Sequence, residues 1–143
     1  MIKLDDVYDE QNIFAKILRG EMPSIKLYED DHTLAFMDIM PQADGHCLVI
    51  PKEPAVTFLD LSDAGGAAVM ATAKKVAAAV IKAVEAPGFM MAQLNSSYAG
   101  QTVPHYHMHI LPRHEGLELK FHAREPEDME VLSALAEKIR SHL

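Results

Sequence analysis

The spacing of apolar residues along the chain predicts three helices. A short helix over 13–19 begins after Asn12, which can cap it, and ends before Gly20. A long helix runs from Ser62 to about residue 85, and a last helix opens at Pro126. Each carries an apolar stripe at helical spacing: Phe14, Ile17 and Leu18 in the first, Val69, Val76, Val80 and Val84 in the second, and Leu132, Leu135, Ala136, Ile139 and Leu143 in the third.

Five shorter runs, bounded by turn residues, predict strands at 25–29, 33–39, 47–50, 89–94 and 104–111. The second run alternates between two faces of a sheet, with Leu34, Phe36 and Asp38 on one side and Ala35, Met37 and Ile39 on the other. The elements follow the order helix, three strands, helix, two strands, helix. This order predicts a single α+β domain over 1–143, with a mainly antiparallel five-stranded sheet and a long central helix.

Composition narrows the classes of protein to which the chain can belong. It has 143 residues and a formal net charge of −8, without clusters of Lys or Arg, so we expect no binding to duplex nucleic acid. No apolar run approaches the ~20 residues of a membrane span, and the first eleven residues do not resemble a secretory signal. The single cysteine, Cys47, cannot form an intrachain disulfide. Together these features favour a cytoplasmic protein.

Three of the eight histidines, His105, His107 and His109, fall within five residues. On a strand their side chains share one face, while Tyr106, Met108 and Ile110 face the other. Such a stripe of imidazoles is either structural, a metal site, or catalytic. For the isolated histidines a structural role is the default interpretation: His32, His114, His122 and His142.

A metal site is the weaker of the two functional interpretations. On a regular strand the outer two rings would lie roughly 13 Å apart, too far to share one zinc ion, and the chain has no HExxH or CxxC motif. We therefore assign no residue to a metal. A neutral imidazole, by contrast, has a lone pair at pH 7 that can attack an activated phosphate. The central residue, His107, is the natural nucleophile, and its neighbours can stabilise the charge that builds on the phosphate oxygens.

The segment from Ala99 to Arg113, AGQTVPHYHMHILPR, closely resembles the signature of the histidine triad (HIT) superfamily, in which three histidines alternate with apolar residues after a Gly-Gln pair. The resemblance extends in the right order over most of the chain. Residues 12–23 are similar to the opening helix and turn of the family, 28–38 and 41–52 to the strands of its nucleotide pocket, and 132–140 to its last helix.

The resemblance implies a nucleotide hydrolase or nucleotidyl transferase that attacks the α-phosphorus of a nucleoside 5′-phosphate conjugate. His107 would be the nucleophile, His109 would contact a phosphate oxygen, and His105 would orient the neighbouring ring. Thr102 would lie near the scissile oxygen. The remaining positions would bind an AMP- or GMP-like nucleotide: Gln101 and Asn95 along the phosphates, Asp38 at the ribose hydroxyls, His46 behind the nucleophile, and Phe14, Ile17, Phe36 and Ile39 around the base.

Several of these residues also have plain structural interpretations. The four apolar residues around the base can equally belong to the core, because a base pocket is itself largely apolar. Asp38 at the end of a strand can be an exposed or capping carboxylate, and His46 can simply pack beside a turn. The loop at 95–101 is about one residue shorter than the family pattern, which makes Asn95 the least secure assignment.

The chain departs from the family at one point that bears on metals. Many bacterial members carry a Cys-x-x-Cys pair and a further histidine that, together with the first histidine of the triad, can hold a structural zinc. Here those positions are Asn12, Ala15 and Pro54, so we expect neither this zinc nor any required cofactor.

The resemblance leaves the substrate open and implies a homodimer. One branch of the family cleaves phosphoramidates, which are the substrates favoured here, and another cleaves dinucleoside polyphosphates. A nucleotide-binding protein with weak catalysis and a metal-binding module are alternatives from other classes.

Overall fold

The computed structural model describes residues 1–119 and 126–143, so His122 lies outside the described residues. Its five strands form one antiparallel sheet in the order β1-β2-β3-β5-β4, and three helices accompany the sheet. The strands are β1 Lys26–Glu29, β2 Thr33–Met37, β3 Cys47–Pro51, β4 Gly88–Ala92 and β5 Met108–Arg113. The helices are α1 Ile13–Leu18, α2 Asp63–Ala83 and α3 Met129–Arg140. The predicted α+β class and five-stranded sheet are confirmed.

The two strands β2 and β3 are buried along their whole length because both faces of the sheet are covered. One face packs against α2 and α3 through Ala35, Met37, Cys47 and Val49. The other face packs against α1 through Leu34, Phe36, Leu48, Ile50 and Phe14. The predicted alternation of β2 is therefore confirmed over its buried residues. The triad histidines lie on the α1 side, where Phe14 packs against the rings of His105 and His107.

Helix α2 covers the opposite face and is built largely from alanine and valine. Ser62 caps it by accepting a hydrogen bond from the Gly65 N–H. By length and mean hydropathy this helix could also cross a membrane, contrary to the prediction that no such segment exists. Its apolar character has a direct role in the core, since its inner residues pack on the sheet: Val69, Ala73, Val76, Ala77, Ala79, Val80 and Ala83.

Several predicted element boundaries are wrong. β2 ends at Met37 and β4 at Ala92, each two residues before its predicted end, and β5 continues to Arg113, two residues beyond its predicted end. The strand predicted over 104–111 begins only at Met108, because the chain before it turns aside and the Tyr106 N–H donates to the carbonyl of Ala55. The last helix begins at Met129 rather than Pro126, because Asp128 caps it by accepting from the Glu130 N–H. A short 3₁₀ helix at Ser97–Ala99, which the sequence did not predict, lies in the loop before the histidines.

Candidate functional site

The three histidines of the triad lie just before β5 and at its beginning. His105 and His107 precede the strand, while His109 lies on it, with Leu48 of β3 and Ala92 of β4 as its Cα partners. The intervening residues Tyr106, Met108 and Ile110 are buried in the core beside α2. The predicted division into a histidine face and an apolar face therefore survives, although the regular strand begins three residues later than its first histidine.

Hydrogen bonds determine which nitrogen of His107 is free. Its Nδ1 lies 2.7 Å from the carbonyl oxygen of His105. A carbonyl can only accept, so Nδ1 carries the hydrogen and the lone pair of the neutral ring is on Nε2. Within the described part of the chain no hydrogen bond uses that Nε2. Phe14 packs edge-on against the ring at 5.1 Å between centroids, and the ring of His109 lies 5.0 Å away. His107 thus has a fixed ring with an available nucleophilic nitrogen.

His105 is held at both of its ring nitrogens. Nε2 lies 2.8 Å from the carbonyl oxygen of Pro51 at the end of β3. Since that nitrogen must donate, Nδ1 accepts, and its donor is the hydroxyl of Tyr8 at 2.6 Å. The side chain is fully buried. His105 is therefore held as a structural support within the site, with no ring nitrogen left for another partner.

The same reasoning assigns the hydrogen of His109. The backbone N–H of Gln42 donates to Nδ1 of His46, so His46 carries its hydrogen on Nε2. That Nε2–H points to Nδ1 of His109, 2.8 Å away. His109 must then carry its own hydrogen on Nε2, as a donor. An N–H donor beside the nucleophilic ring is the group that a negatively charged phosphate oxygen requires.

His46 was expected behind the nucleophile, but its hydrogen-bond partner is His109 and it is fully buried. The register explains this placement. Leu48 is opposite His109, and residue 46 lies two positions along on the same face, which makes it a diagonal neighbour. Gly45 lets the chain reach this point: it has a φ of +89°, and a Cβ there would lie 3.1 Å from side chains of Val80 and Pro112.

Burial lowers the pKa of every ring in the cluster. Loss of water around the rings brings the pKa values of His46 and His105 to about 4 and that of His109 to about 3. Burial also lowers the pKa of His107, against a small opposing effect of its hydrogen bond to the His105 carbonyl. All four rings are therefore neutral at pH 7, which the hydrogen-bond pattern independently requires.

Asp38 is the acidic member of the site. The ladder between β2 and β3 continues one residue beyond β2, because the Asp38 N–H donates to the carbonyl of His46. Its Oδ1 accepts from the Met40 N–H, and Oδ2 lies 3.4 Å from Nε2 of His46. Burial raises the pKa of this carboxyl to about 6, partly offset by the Met40 N–H. At pH 7 Asp38 is mostly ionised and can accept further hydrogen bonds.

The amide residues have different surroundings from those predicted. Gln101 is buried, and its side chain accepts from the Ser96 N–H and donates to the carbonyls of Val56 and Val103. Its side chain is thus committed to holding the loop and not to phosphate. Asn95 accepts from the Phe58 N–H and exchanges hydrogen bonds with Gln93. Neither amide has a free face beside the histidines, because both satisfy backbone groups of the surrounding loops.

The apolar positions and Thr102 divide into buried residues and exposed ones. Phe14 and Phe36 are buried and pack edge to face at 5.3 Å, with Ile17 partly buried against them. This cluster adjoins His107 through Phe14. Ile39 is 42% exposed and Thr102 is exposed, so both are accessible to a ligand. Phe36 belongs to the core, and Phe14 contacts both the core and the ring of His107, while Ile17 packs at the margin of this cluster.

Two possible metal sites can be tested against this geometry. Ligand atoms of Asp38, His46 and His109 lie within 4.8 Å of one another, but the two ring nitrogens concerned already share a hydrogen bond. The family's structural zinc does not fit, since Asn12 caps α1 by accepting from the Ala15 N–H, and Ala15 and Pro54 offer no ligand. Of that zinc set only His105 can ligate, and both its nitrogens have hydrogen-bond partners.

Two contributors to the site were not predicted. Tyr8 lies 97 residues from His105 in sequence, in a segment without apolar periodicity. The carbonyl of Pro51 contributes through its backbone, which no side-chain pattern reveals. No pattern in the sequence pairs either group with His105.

Comparison with known proteins adds to this geometry. A model of the HIT domain family matches residues 19–116. Protein hit of Bacillus subtilis is 39% identical over 140 residues, which cover 92% of this chain and 97% of that one. The adenosine 5′-monophosphoramidase of Schizosaccharomyces pombe is 39% identical over 134 residues, again covering 92% and 97%. The solved structure of a Hit-like protein from Bartonella henselae superimposes with a TM-score of 0.90 at 47% identity, over 96% of this chain and all of that one.

Proposed function

The chain belongs to the HIT domain family, and from that premise we propose that it hydrolyses nucleoside 5′-phosphoramidates through a covalent nucleotidyl-His107 intermediate. The family is one of nucleotide-processing proteins with hydrolases among its members. The observation that carries the proposal is the hydrogen bond from Nδ1 of His107 to the carbonyl of His105. It leaves the lone pair on Nε2 and fixes the ring, and these are the two conditions for in-line attack on phosphorus.

In the first step Nε2 of His107 attacks the α-phosphorus, and the bond from phosphorus to the leaving nitrogen breaks. The amine leaves with the bonding electron pair and takes up a proton, for which we assign the Thr102 hydroxyl as the donor. The Nε2–H of His109 donates to a non-bridging oxygen as negative charge builds there. In the second step water attacks the same phosphorus and gives up a proton to Thr102, the bond to His107 breaks, and the nucleoside monophosphate is released with the ring neutral again.

The nucleotide would be bound by the groups around this centre. We assign the ribose hydroxyls to Asp38, because an ionised carboxylate accepts from two donors. The base would lie on the apolar cluster of Phe14 and Ile17, with the exposed Ile39 at its edge. Thr102, exposed beside the loop, is a candidate donor to the leaving group.

The name of one relative, an adenosine 5′-monophosphoramidase, supports phosphoramidates as the substrate class. Another relative is named an adenylylsulfatase, from Arabidopsis thaliana, 39% identical over 103 residues. That name supports an adenylyl conjugate as substrate but with a different leaving group. Dinucleoside polyphosphates remain the alternative substrate, and a nucleotide-binding protein with weak catalysis is the alternative of a different class.

We further propose a cytoplasmic homodimer that needs no cofactor. The outer strand β4 exposes Phe89, Met90 and Met91 along an unpaired edge of the sheet, and an exposed apolar edge favours pairing with a second copy. Sizing in solution tests this part directly, since a monomer at micromolar concentration contradicts it.

The experiment that tests the reaction is rapid-quench mass spectrometry of the protein mixed with an adenosine 5′-phosphoramidate. We expect a transient adenylyl adduct on His107, followed by release of AMP. The matched control is His107→Ala, which should give no adduct while still binding AMP. Kinetics on diadenosine polyphosphates under the same conditions decide between the two substrate classes.

Each of the other outcomes supports a different mechanism or function for this chain. AMP release without an adduct, at quench times shorter than one turnover, contradicts the covalent step and favours direct attack by water. If nucleotide binds but neither an adduct nor AMP forms, the proposal of a hydrolase is contradicted, and a nucleotide-binding protein with weak catalysis is favoured. Faster turnover of diadenosine polyphosphates contradicts the choice of phosphoramidate.

A further inference from the structure

The first eight residues are attached to the site at two points. The Ile2 N–H donates to Oγ of Ser97, and the Ser97 N–H donates back to the carbonyl of Ile2. Six residues later the hydroxyl of Tyr8 reaches Nδ1 of His105. We call residues 1–8 the N-terminal strap. It connects the loop that precedes the triad with the first ring of the triad.

The direction of the Tyr8 contact is fixed by its surroundings. His105 donates from Nε2 to Pro51, so Nδ1 has no hydrogen and the Tyr8 hydroxyl must donate. Burial raises the pKa of Tyr8 above its usual value, so the phenol keeps its hydrogen at neutral pH. The Tyr8 ring also packs edge-on against His105, with centroids 5.5 Å apart. Both a hydrogen bond and a ring contact therefore hold the imidazole.

The same bond is relayed to the nucleophile through one residue. The carbonyl of His105 accepts the Nδ1–H of His107 and so selects its tautomer. His105 is fully buried, and without the Tyr8 hydroxyl its Nδ1 would lose its hydrogen-bond partner. Without that anchor the ring and the main chain of residue 105 are held less tightly, and the carbonyl that accepts the His107 Nδ1–H can shift.

We propose that Tyr8 is a positioning residue for catalysis: its hydroxyl locks the His105 ring, and His105 in turn holds His107 in the tautomer whose Nε2 attacks phosphorus. The chemical role assigned to His107 rests on the function proposed above. The positioning itself, a relay from Tyr8 to the tautomer of His107, can be measured without turnover.

The test compares wild-type protein, Tyr8→Phe and a matched control, Tyr28→Phe. The control also removes one phenolic hydroxyl, that of Tyr28, which bonds to Asp30 on the far edge of the sheet. For hydrolysis of adenosine 5′-phosphoramidate we expect kcat of Tyr8→Phe to fall roughly tenfold, the effect of about one misplaced hydrogen bond. KM should change less than about twofold, because nothing that would touch the nucleotide is altered.

The second measurement is ¹⁵N NMR of the histidine rings in the same three proteins. In wild type and in Tyr28→Phe, His105 should be protonated on Nε2 and His107 on Nδ1. In Tyr8→Phe the Nδ1 signal of His105 should shift toward that of a nitrogen without a hydrogen bond, and His107 should show a mixture of tautomers.

Every other outcome overturns the inference in a defined way. An unchanged His107 spectrum in Tyr8→Phe shows that Tyr8 does not position the nucleophile, whatever happens to kcat. A mixture of tautomers with unchanged kcat shows that the positioning has no catalytic effect. If wild-type protein has no turnover, the proposed function fails, and the tautomer comparison still decides whether Tyr8 positions the ring.

Discussion

His46 and His109 share one hydrogen bond, from Nε2 of the first ring to Nδ1 of the second at 2.8 Å, and the proton it fixes gives the site its polarity. Because the Gln42 N–H occupies the other nitrogen of His46, the direction of this bond cannot reverse while that contact holds. His109 must then present an N–H. The neighbouring His107 presents a lone pair by the same kind of argument. The two neutral imidazoles therefore lie side by side as a hydrogen-bond donor and as the proposed nucleophile.

Replacing His46 tests this relationship with a pair of amides of different length. In His46→Gln the amide reaches the position of Nε2 and can still donate to His109, whereas in His46→Asn it reaches only the position of Nδ1. We expect His46→Asn to lower kcat roughly tenfold and His46→Gln to lower it less, since one hydrogen bond in a buried site is worth about this factor. Steady-state hydrolysis of an adenosine 5′-phosphoramidate is the measurement.

The control for this pair is His142→Asn, because His142 is exposed and lies beyond the end of α3, which packs on the opposite face of the sheet from the triad. It should leave kcat unchanged. Equal losses in both His46 variants would contradict the proposed donor relay and would assign His46 a packing role alone.

The sequence could predict on which face of the sheet the triad lies, but not the hydrogen bonds that hold its rings in place. Alternation along β2 separates Leu34 and Phe36 from Ala35 and Met37, and the same alternation separates the triad from Tyr106 and Met108. Periodicity of this kind is local, so one sequence reveals it. The start of β5 was placed too early because the pattern continues through His105 although the backbone has left the sheet.

The supports of the rings are long-range, and nothing local encodes them. Tyr8 and His105 are 97 residues apart, and His46 and His109 are 63 apart. Only the family resemblance places Gln101 along the phosphates. Only the fold shows that its side chain is used by Ser96, Val56 and Val103.

Gln101 should therefore matter more for stability than for binding. Its replacement by alanine leaves one backbone N–H and a buried carbonyl without their partner, and each such group costs about 1–3 kcal/mol. We expect Gln101→Ala to lower the free energy of unfolding by about 3 kcal/mol in urea titrations monitored by circular dichroism. AMP affinity of the folded variant, measured by calorimetry, should change little.

The control is Gln11→Ala, in which an exposed amide is removed and the urea midpoint should not move. A Gln101→Ala protein with normal stability but strongly weakened AMP binding would reverse the assignment. The amide would then act on the nucleotide, as the family resemblance first implied.

Asp38 should make discrimination for ribose dependent on pH. Its carboxyl has a pKa of about 6 because it is buried, so it is charged above that pH and protonated below it. A hydrogen bond from a ribose hydroxyl to a charged carboxylate is worth about 1.5–3 kcal/mol, and it weakens when the acceptor is neutral. We expect kcat/KM to favour the ribose over the 2′-deoxyribose substrate by about tenfold or more at pH 7.5, and by less at pH 5.5.

The comparison between the two sugars cancels any effect of pH on His107, because both substrates use the same nucleophile. Asp38→Asn should abolish the pH dependence of the ratio, and Asp44→Asn, which changes an exposed carboxylate, should not. If the ratio of kcat/KM between the ribose and 2′-deoxyribose substrates stays constant from pH 5.5 to 7.5 in wild type, Asp38 does not bind the ribose hydroxyl.

The buried rings should also make the fold sensitive to acid. His46, His105 and His109 have pKa values of about 4, 4 and 3 in the folded protein, against an ordinary value of 6.5. Between pH 6 and pH 4 the unfolded chain binds a proton at each ring and the folded chain does not, so stability falls on acidification. Asp38 opposes this, because in the same range its carboxyl is protonated only in the folded state.

Three rings against one carboxyl leave about two protons, and hence a loss on the order of 2 kcal/mol of unfolding free energy per pH unit near pH 5. Urea titrations at intervals of half a pH unit measure this slope. Asp38→Asn removes the opposing group and should steepen the slope, whereas His46→Asn removes one ring and should flatten it. General destabilisation would lower the unfolding free energy of a variant at every pH without changing its slope, so it cannot change the slopes of the two variants in opposite directions. Plots of unfolding free energy against pH that run parallel to that of wild type would contradict the assigned pKa shifts.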